Sequence, residues 1–183
     1  IRKALFQVAS IISTAGFSTA DFDRWPELSR SILVCLMLIG ACAGSTGGGI
    51  KVSRLIILLK SARCEVSRMM HPRSVNRVKL EGKTIDDEVL HNTLIFFVMY
   101  MLIVAMSTLL VASFDECDFT TNLTAVIACM GNIGPGLGKV GPMGNFSEFS
   151  ALSKIVLTLD MLIGRLEIFP IIMVFTPETW KKV

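Results

Sequence analysis

The hydrophobic residues of this chain are grouped into long apolar segments that polar loops separate. Residues 94–112 contain no charged residue, and a helix of this length can cross a bilayer core of about 30 Å at about 1.5 Å per residue. Two further apolar segments occupy residues 28–42 and roughly residues 146–175. A buried core helix of a large soluble protein would explain one such segment, but several favour membrane spans. The pattern predicts an all-α polytopic membrane protein.

Two short apolar segments, residues 1–13 and 119–130, are too short to span a membrane and predict short helices. Each is followed by a glycine-containing segment, then by an external loop and then by a long helix. The two long helices share the sequence Met-Leu-Ile-Gly at residues 37–40 and 161–164. The same order of elements around this match indicates an internal repeat, which is common in transport proteins.

The composition narrows the class of protein. Hydrophobic residues make up 52% of the 183 positions, charged residues make up 18%, and the mean hydropathy is +0.62, whereas a soluble domain usually carries about 25% charged residues. The five cysteines form no CxxC pair and no His lies at metal-ligand spacing, so we expect no disulfide framework and no zinc site. The sequence contains no Ser-His-Asp, metal-cluster or paired-carboxylate constellation, and it does not predict an enzyme.

The distribution of charge orients the chain. Residues 63–83 form a basic connector, and a Lys-Lys pair lies near the C-terminus. Short loops rich in Lys and Arg stay in the cytoplasm, so the acidic stretches at residues 21–27 and 115–118 lie outside. This arrangement requires both short helices and their glycine segments to enter the membrane from outside and return. We therefore expect a multi-pass protein of the cell (inner) membrane, with the basic connector and the C-terminus in the cytoplasm.

The two glycine segments are candidate parts of a cation-selective filter. Irregular backbone is costly against lipid and is tolerated at membrane depth where it lines a water-filled path. Carbonyl oxygens on such a path can replace the hydration shell of a cation, and glycine reaches the positive φ that aims successive carbonyls inward. The short helices also direct their negative ends toward the ion. The candidate filter residues are Thr14, Ala15, Gly16, Asn132, Ile133 and Gly134.

Four motifs along the chain carry a resemblance to a known family. They are STAGFS at residues 13–18, AGSTGGGIK at 43–51, GNIGPGLG at 131–138 and IGRLE at 163–167. With these motifs in this order, the chain resembles the membrane subunit of the Trk/Ktr/HKT superfamily of potassium transporters, of the bacterial TrkH type. The chain begins with Ile1 and shows no signal-peptide pattern, so we expect it to be part of a longer protein.

The resemblance implies four helix–pore loop–helix units around one central ion pore. Residues 1–62 would be the third pore loop and the broken helix after it, residues 63–83 the cytoplasmic connector, and residues 84–183 the fourth unit with a short cytoplasmic tail. The chain would then supply two of four filter segments. The implied function is potassium uptake through a gated, channel-like pore, with potassium ions in the filter and no covalently bound cofactor.

The resemblance also implies partners. Family members pair as homodimers in the lipid of the membrane and dock on a cytosolic nucleotide-binding ring of the TrkA-like kind, which the basic connector would face. No nucleic-acid partner is expected. Glycine at both filter positions resembles the potassium-selective branch, since a serine in one filter segment marks sodium-preferring relatives.

Residues 43–49 interrupt a long helix with four glycines and two hydroxyl side chains. A flexible kink is one alternative. A phosphate-binding loop is another, but Ile50 separates Gly49 from Lys51 and no strand is predicted before the loop. The resemblance implies that this loop plugs the pore below the filter and moves to gate it. The candidate gating residues are Gly44, Ser45, Thr46, Gly47, Gly48 and Gly49.

Arg165 is a charged residue in the middle of the last long helix. A charge at membrane depth is costly and marks a functional site by default. A structural ion pair with Asp160 or Glu167 is the alternative, but neither lies three or four positions from Arg165, so pairing along the helix is poor. We interpret Arg165 as a positive barrier that projects into the pore below the filter.

Two other functions stay open at this stage: a sodium-coupled secondary carrier and a non-conducting membrane anchor of a cytosolic regulator. Carriers place polar or charged substrate-binding groups near the midplane, whereas this chain offers mainly glycine backbone there. An anchor would have no use for two repeated re-entrant segments. Potassium conduction therefore stays the favoured function.

Overall fold

The structure of the chain is a computed structural model that describes residues 1–40, 42, 45, 47–71, 78–80 and 83–166. Within these residues it is mainly helical, with two small two-stranded sheets. The α-helices are α1 (Arg2–Ile12), α2 (Glu27–Leu38), α3 (Val52–Met70), α4 (Asp87–Phe114), α5 (Phe119–Gly131) and α6 (Ala151–Leu166). The strands are β1 (Ile39–Gly40), β2 (Ile50–Lys51), β3 (Lys79–Leu80) and β4 (Lys83–Thr84).

Helix α4 is the one helix in the described part of the chain that is long and apolar enough to cross a membrane. It has 28 residues, and it confirms the helix predicted over residues 84–113. One face is buried and includes Phe96, Tyr100, Val104 and Val111; the opposite face exposes Val98, Leu102, Met106 and Leu109. A long helix that is apolar on its exposed side fits a lipid or protein environment rather than water.

Helix α5 lies at the centre of the packed helices. It contacts α2, α4 and α6, and ten of its thirteen residues are buried. Its polar side chains bond within the fold: the Thr124 hydroxyl donates to the carbonyl of Thr120 at 2.7 Å, and the Asn122 amide donates to the carbonyl of Cys117 at 3.3 Å. The predicted short helices over residues 1–13 and 119–130 are confirmed as α1 and α5.

The break in the first long helix begins earlier than the sequence predicts. We expected helix to residue 42, but α2 ends at Leu38 and the backbone becomes extended. Ile39 and Gly40 then pair in parallel with Ile50 and Lys51, with Ile39 opposite Ile50. The correction has a steric reason, because a Cβ on Gly40 would lie 2.1 Å from the carbonyl oxygen of Gly48. The loop returns so closely that only glycine fits there.

Helix α3 continues well beyond the predicted end near residue 62. It runs to Met70, so the first part of the basic connector is helical. The sequence between residues 50 and 71 contains neither Gly nor Pro, and charged residues on an exposed face do not end a helix. Glu65 and Arg68 pair at 3.2 Å, three positions apart, which supports this last part. Residues 72–77 and 81–82 of the connector lie outside the described residues.

Helix α6 begins at Ala151, five residues later than predicted, because residues 146–148 form a single 3-10 turn. The predicted end near residue 175 lies outside the described residues. The carboxylate of Asp115, just after α4, accepts hydrogen bonds from the backbone nitrogen of Ser150 at 3.0 Å and from its hydroxyl at 3.2 Å. The Ser150 hydroxyl in turn accepts from the nitrogen of Ser153 at 3.3 Å, as an N-cap does. Asp115 therefore ties the end of α4 to the start of α6.

This contact predicts an acid-dependent loss of stability. Desolvation raises the pKa of Asp115, but hydrogen bonds from Ser153 and Ser150 and the charge of Lys154 outweigh it, so the pKa lies below its ordinary value. The stabilisation is complete above the ordinary pKa of about 3.9 and disappears as pH falls through the lower folded value. Asp115→Asn should lower the free energy of unfolding at neutral pH by on the order of 1 kcal/mol, and the difference from the parent protein should vanish in acid.

Denaturation of the detergent-solubilised protein at several pH values measures this effect. Glu116→Gln is the matched control, because it removes the same charge from the exposed neighbouring residue and should change stability little at any pH. A loss of stability that is equal for Asp115→Asn at neutral and acid pH would contradict the role of the charged carboxylate.

Candidate functional site

The two glycine segments have the same backbone conformation. Thr14 and Gly16 have φ of 55° and 75°, and Asn132 and Gly134, at the matching positions, have φ of 52° and 115°. Each segment therefore turns through a left-handed residue, an intervening residue and a left-handed glycine. Non-glycine residues uncommonly adopt this conformation, β-branched Thr least of all, so its occurrence at matching positions of both copies supports the internal repeat that the sequence indicates.

The hydrogen bonds that end the two short helices also match. The nitrogen of Thr14 donates to the carbonyl of Ile11 at 3.1 Å, and that of Asn132 donates to the carbonyl of Cys129 at 3.0 Å. One residue further on, the nitrogens of Ala15 and Ile133 each donate to a carbonyl five positions earlier, at 3.0 and 2.9 Å. Such bonds cap the last carbonyls of a helix. Both helices therefore end with the same pattern of hydrogen bonds.

The carbonyl oxygens of the six candidate filter residues accept no hydrogen bond from any described residue. Uncommitted carbonyls in a short segment are available to a cation or to water. The six residues in question are Thr14, Ala15, Gly16, Asn132, Ile133 and Gly134.

The two segments lie against each other in space. A Cβ added to Gly16 would stand 2.1 Å from the carbonyl oxygen of Ile133, and one added to Gly134 would stand 3.8 Å from the Cα of Gly16. A contact of 2.1 Å is far below any normal separation, so glycine at position 16 is required for the approach. Residues 118 positions apart along the chain therefore form one site.

Side chains from neighbouring elements hold both segments in place. The Ser10 hydroxyl donates to the carbonyl of Phe17 at 2.6 Å, and the amide of Asn132 donates to the carbonyl of Met161 on α6 at 3.2 Å. Further along the second loop, the carboxylate of Asp23 accepts from the nitrogen of Gly138 at 3.1 Å. Hydrogen bonds to neighbouring elements thus hold both segments and the loop that follows the second one.

A cavity of about 570 Å³ opens beside the two segments. Its walls include five of the six candidate filter residues together with α6, which contributes Lys154, Leu157, Thr158 and Met161. The cavity is large enough to hold several water molecules. Five of the six candidate filter residues therefore line a space that is large enough for water molecules.

The described part of the loop that interrupts the first long helix (residues 43–49, the interrupting loop) lies next to the second segment. A Cβ on Gly48 would meet the carbonyl oxygens of Met130 and Gly131 at 2.8 Å each, so Gly48 packs on the C-terminal end of α5. Gly49 has φ of 78°, and Gly47 lines a small cavity next to α6. Ser45 is partly buried, whereas Gly44 and Thr46 lie outside the described residues.

Arg165 lies in the last turn of α6 as described, and its side chain is exposed. The preceding residue, Gly164, fits tightly against α5, since a Cβ there would stand 2.0 Å from the carbonyl oxygen of Met130. The loop, the end of α5 and the end of α6 therefore converge on one region, and Arg165 lies at its border. Glu167 is outside the described residues.

The sequence did not predict the polar interior behind this site. Asp160 is only 2% exposed, and one of its oxygens accepts from the Ser107 hydroxyl at 2.7 Å. Arg54 on α3 lies over the ring of Phe96 at 3.9 Å, which is a cation–π geometry. Asp160 lies three positions after the buried Leu157, on the same face of α6, and this spacing was a signal for its burial. The bond to Ser107 of α4 depends on how the helices pack. Among the described residues, no group of three or more His, Cys, Asp or Glu could hold a metal ion.

A helix long and apolar enough to cross a membrane, together with two short helices that end in matching glycine segments, fits the class of helical membrane proteins that move ions. The family model described as a cation transport protein, TrkH, matches residues 1–182. The chain belongs to the TrkH family.

Individual relatives agree with this assignment. The Trk system potassium uptake protein TrkH of Escherichia coli K12 is 39% identical over 182 residues, which cover 100% of this chain and 37% of that protein. The Trk system potassium uptake protein TrkH of Vibrio parahaemolyticus is 40% identical over 181 residues, which cover 98% of this chain and 36% of that protein. The crystal structure of the potassium transporter TrkH from Vibrio parahaemolyticus matches with a TM-score of 0.86 at 39% identity, over 98% of this chain and 38% of that chain.

The chain thus spans little more than a third of the length of these relatives. The predicted family and the predicted all-α membrane fold are both confirmed. The relatives are transport proteins, so the prediction that the chain is not an enzyme is also confirmed.

The close contact between the segments predicts a strong effect of Gly16→Ala. The new Cβ would collide with the carbonyl of Ile133, and φ of 75° would strain any side chain. We expect the free energy of unfolding to fall by about 1–3 kcal/mol and the second segment to be displaced. Thermal unfolding of the purified protein measures the loss. Ser18→Ala, two residues away and exposed, is the control and should change stability by less than about 0.5 kcal/mol. Equal effects of the two variants would contradict the contact.

Proposed function

We propose that this chain forms two of the filter segments of a membrane protein that takes up potassium through a gated, channel-like pore. The observation that carries the proposal is the pair of matching left-handed segments with uncommitted carbonyls, in contact with each other and facing one cavity. The relatives that match nearly all of this chain are named as potassium uptake proteins. The carbonyls of the six candidate filter residues would replace water around the ion, and potassium ions would be held there without a covalent cofactor.

The direction of the short helices supports cation binding. α1 and α5 end at the two segments, so the partial negative charge of each C-terminal end lies close to the carbonyls. A cation gains from both ends at once because Gly16 and Ile133 are in contact. An anion would be repelled by the same arrangement.

The interrupting loop is proposed as the gate. Its packing on Gly131 places it next to the second segment, and a glycine-rich loop can change conformation at low cost. Residues 44–49 would block the path when packed and open it when they move. Arg165 would act as a positive barrier below the filter, which holds cations back until the loop moves.

The proposal includes a membrane topology and partners, which the resemblance to the family supports. We propose a multi-pass protein of the inner membrane, with units at residues 1–62 and 84–183 and a cytoplasmic connector at 63–83. A homodimer that docks on a cytosolic nucleotide-binding ring would place α3 and the connector next to that ring. The exposed positive charge of Arg63 on α3 suits a docking surface at the cytoplasmic side.

Rubidium flux tests the proposed function. Liposomes that carry the full-length protein should take up rubidium, and external potassium should inhibit this uptake more strongly than sodium. Uptake that requires a second ion would favour the sodium-coupled carrier. An absence of uptake with a correctly folded protein would favour the membrane anchor and contradict the proposal.

Arg165→Ala tests the barrier. Removing the positive charge should increase the rate of rubidium uptake several-fold, because less repulsion opposes a cation leaving the filter. Arg165→Lys is the matched control, since it keeps the charge and should leave the rate close to that of the parent. Slower uptake by Arg165→Ala in a protein of unchanged stability would contradict the barrier role.

A further inference from the structure

A buried carboxyl group lies behind the second glycine segment and has no place in the proposed conduction path. Asp160 is on α6, which packs on both α4 and α5, and it is 2% exposed. Its Oδ1 accepts from the Ser107 hydroxyl of α4 at 2.7 Å. Its Oδ2 is fully buried and has no hydrogen-bond partner among the described residues. An ionised carboxylate can accept several hydrogen bonds, but Asp160 accepts only one from the described residues.

A second buried polar group without a partner lies nearby. Tyr100 precedes Ser107 by two helical turns on the same face of α4, it is 1% exposed, and its hydroxyl bonds to no described residue. Tyr100 and Cys129 of α5 both lie within electrostatic range of the Asp160 carboxyl. Two buried oxygens without a partner among the described residues are rare in one helix interface of a folded protein, so this pair calls for an explanation.

Among the described residues, no positively charged side chain pairs with the Asp160 carboxylate, whose one hydrogen-bond partner is the Ser107 hydroxyl. The groups on the elements packed against Asp160 are Tyr100 and Ser107 from α4 and Cys129 from α5. On α6 itself, Lys154 and Arg165 have exposed side chains. Lys51 and Arg54 line the small cavity that Tyr100 and Gly164 also line, and Asp160 is not part of that lining. An ionised group buried in apolar surroundings without a close partner is strongly disfavoured.

Asp160 is coupled to the glycine segment through the backbone. The next residue, Met161, uses its carbonyl oxygen to accept the Asn132 amide at 3.2 Å. One turn further, Gly164 lies against the carbonyl of Met130, and the nearest atoms to a Cβ there include the Asn132 amide nitrogen at 3.0 Å. A shift of α6 at Asp160 would therefore move the group that anchors Asn132.

We propose that Asp160 is a proton-binding site that sets the position of α6 against the second glycine segment. A hydronium ion transfers its proton to the carboxylate, which leaves water and a neutral carboxyl group. The neutral group fits the dry interface and keeps Met161 in place under Asn132. Loss of the proton creates a buried charge, and α6 shifts to hydrate it, so the anchor of Asn132 is withdrawn. The effect on conduction rests on the proposed function, whereas the binding of the proton does not.

Infrared spectroscopy of the full-length protein in liposomes tests the proton directly. A protonated buried carboxyl gives a carbonyl-stretch band that should disappear as the sample is titrated from about pH 5 to about pH 9. The band should be absent in Asp160→Asn, and its frequency should shift in Ser107→Ala, which removes the hydrogen bond to Oδ1. Asp115→Asn is the matched control, because Asp115 also joins α4 and α6 through a serine, and it should leave the band unchanged.

Rubidium uptake over the same pH range tests the link to the filter. Uptake by the parent protein should fall as pH rises, and Asp160→Asn, which is neutral and nearly the same size, should keep the uptake of the acid form at every pH. A carboxyl band that survives in Asp160→Asn, or an equal pH response in the parent and this variant, would overturn the proposal. If the parent conducts no rubidium, the proposed function fails, and the infrared titration alone decides whether Asp160 binds the proton.

Discussion

The last carbonyl groups of a helix have no partner within it and must bond elsewhere or face water, and the rest of the structure depends on how this constraint is met at the end of α5. Three other parts of the chain approach this helix end closely. Gly48 lies against the carbonyls of Met130 and Gly131, Gly164 lies against that of Met130, and Gly16 lies against that of Ile133. Because each approach would be blocked by a Cβ, glycine allows the broken helix, the last helix and the first segment to meet at one place.

The two repeated segments have the same signs of φ at matching positions, but their surroundings differ. Both turn through left-handed residues at matching positions, yet α5 is enclosed by α2, α4 and α6, whereas α1 packs mainly on α2. Leu5 and Phe17 accordingly stay exposed on the first copy, while most of α5 is buried. The turn that presents the carbonyls is therefore a property of the local sequence, since it forms in both surroundings.

Two carboxylates join α4 to α6 through serine, and their environments give them different roles. Asp115 lies just after the C-terminal end of α4, accepts from Ser150, and is stabilised in its charged form by these bonds. Asp160 lies deep in the interface with a single donor, Ser107. An aspartate thus stabilises the start of α6 in its charged form. Further along the helix, Asp160 is buried, so that its charged form is costly and would be sensitive to pH in the proposed proton site.

The sequence by itself determined the class of protein, the spanning helix α4, both short helices and the positions of the glycine segments, because these depend on local hydrophobicity and on residues that favour or tolerate positive φ. It misplaced the end of α2 at residue 42, because the close return of the chain at Gly40 leaves no clear local signal. It misplaced the end of α3 near residue 62, because the charged residues that begin there resemble a loop, although no Gly or Pro between residues 50 and 71 ends the helix. Only the tertiary structure decided that Gly16 touches Ile133, that Gly48 packs beneath Gly131, and that Asp160 bonds to Ser107. These contacts join residues far apart in the chain, and they depend on how closely backbones approach, which no local pattern of residues specifies.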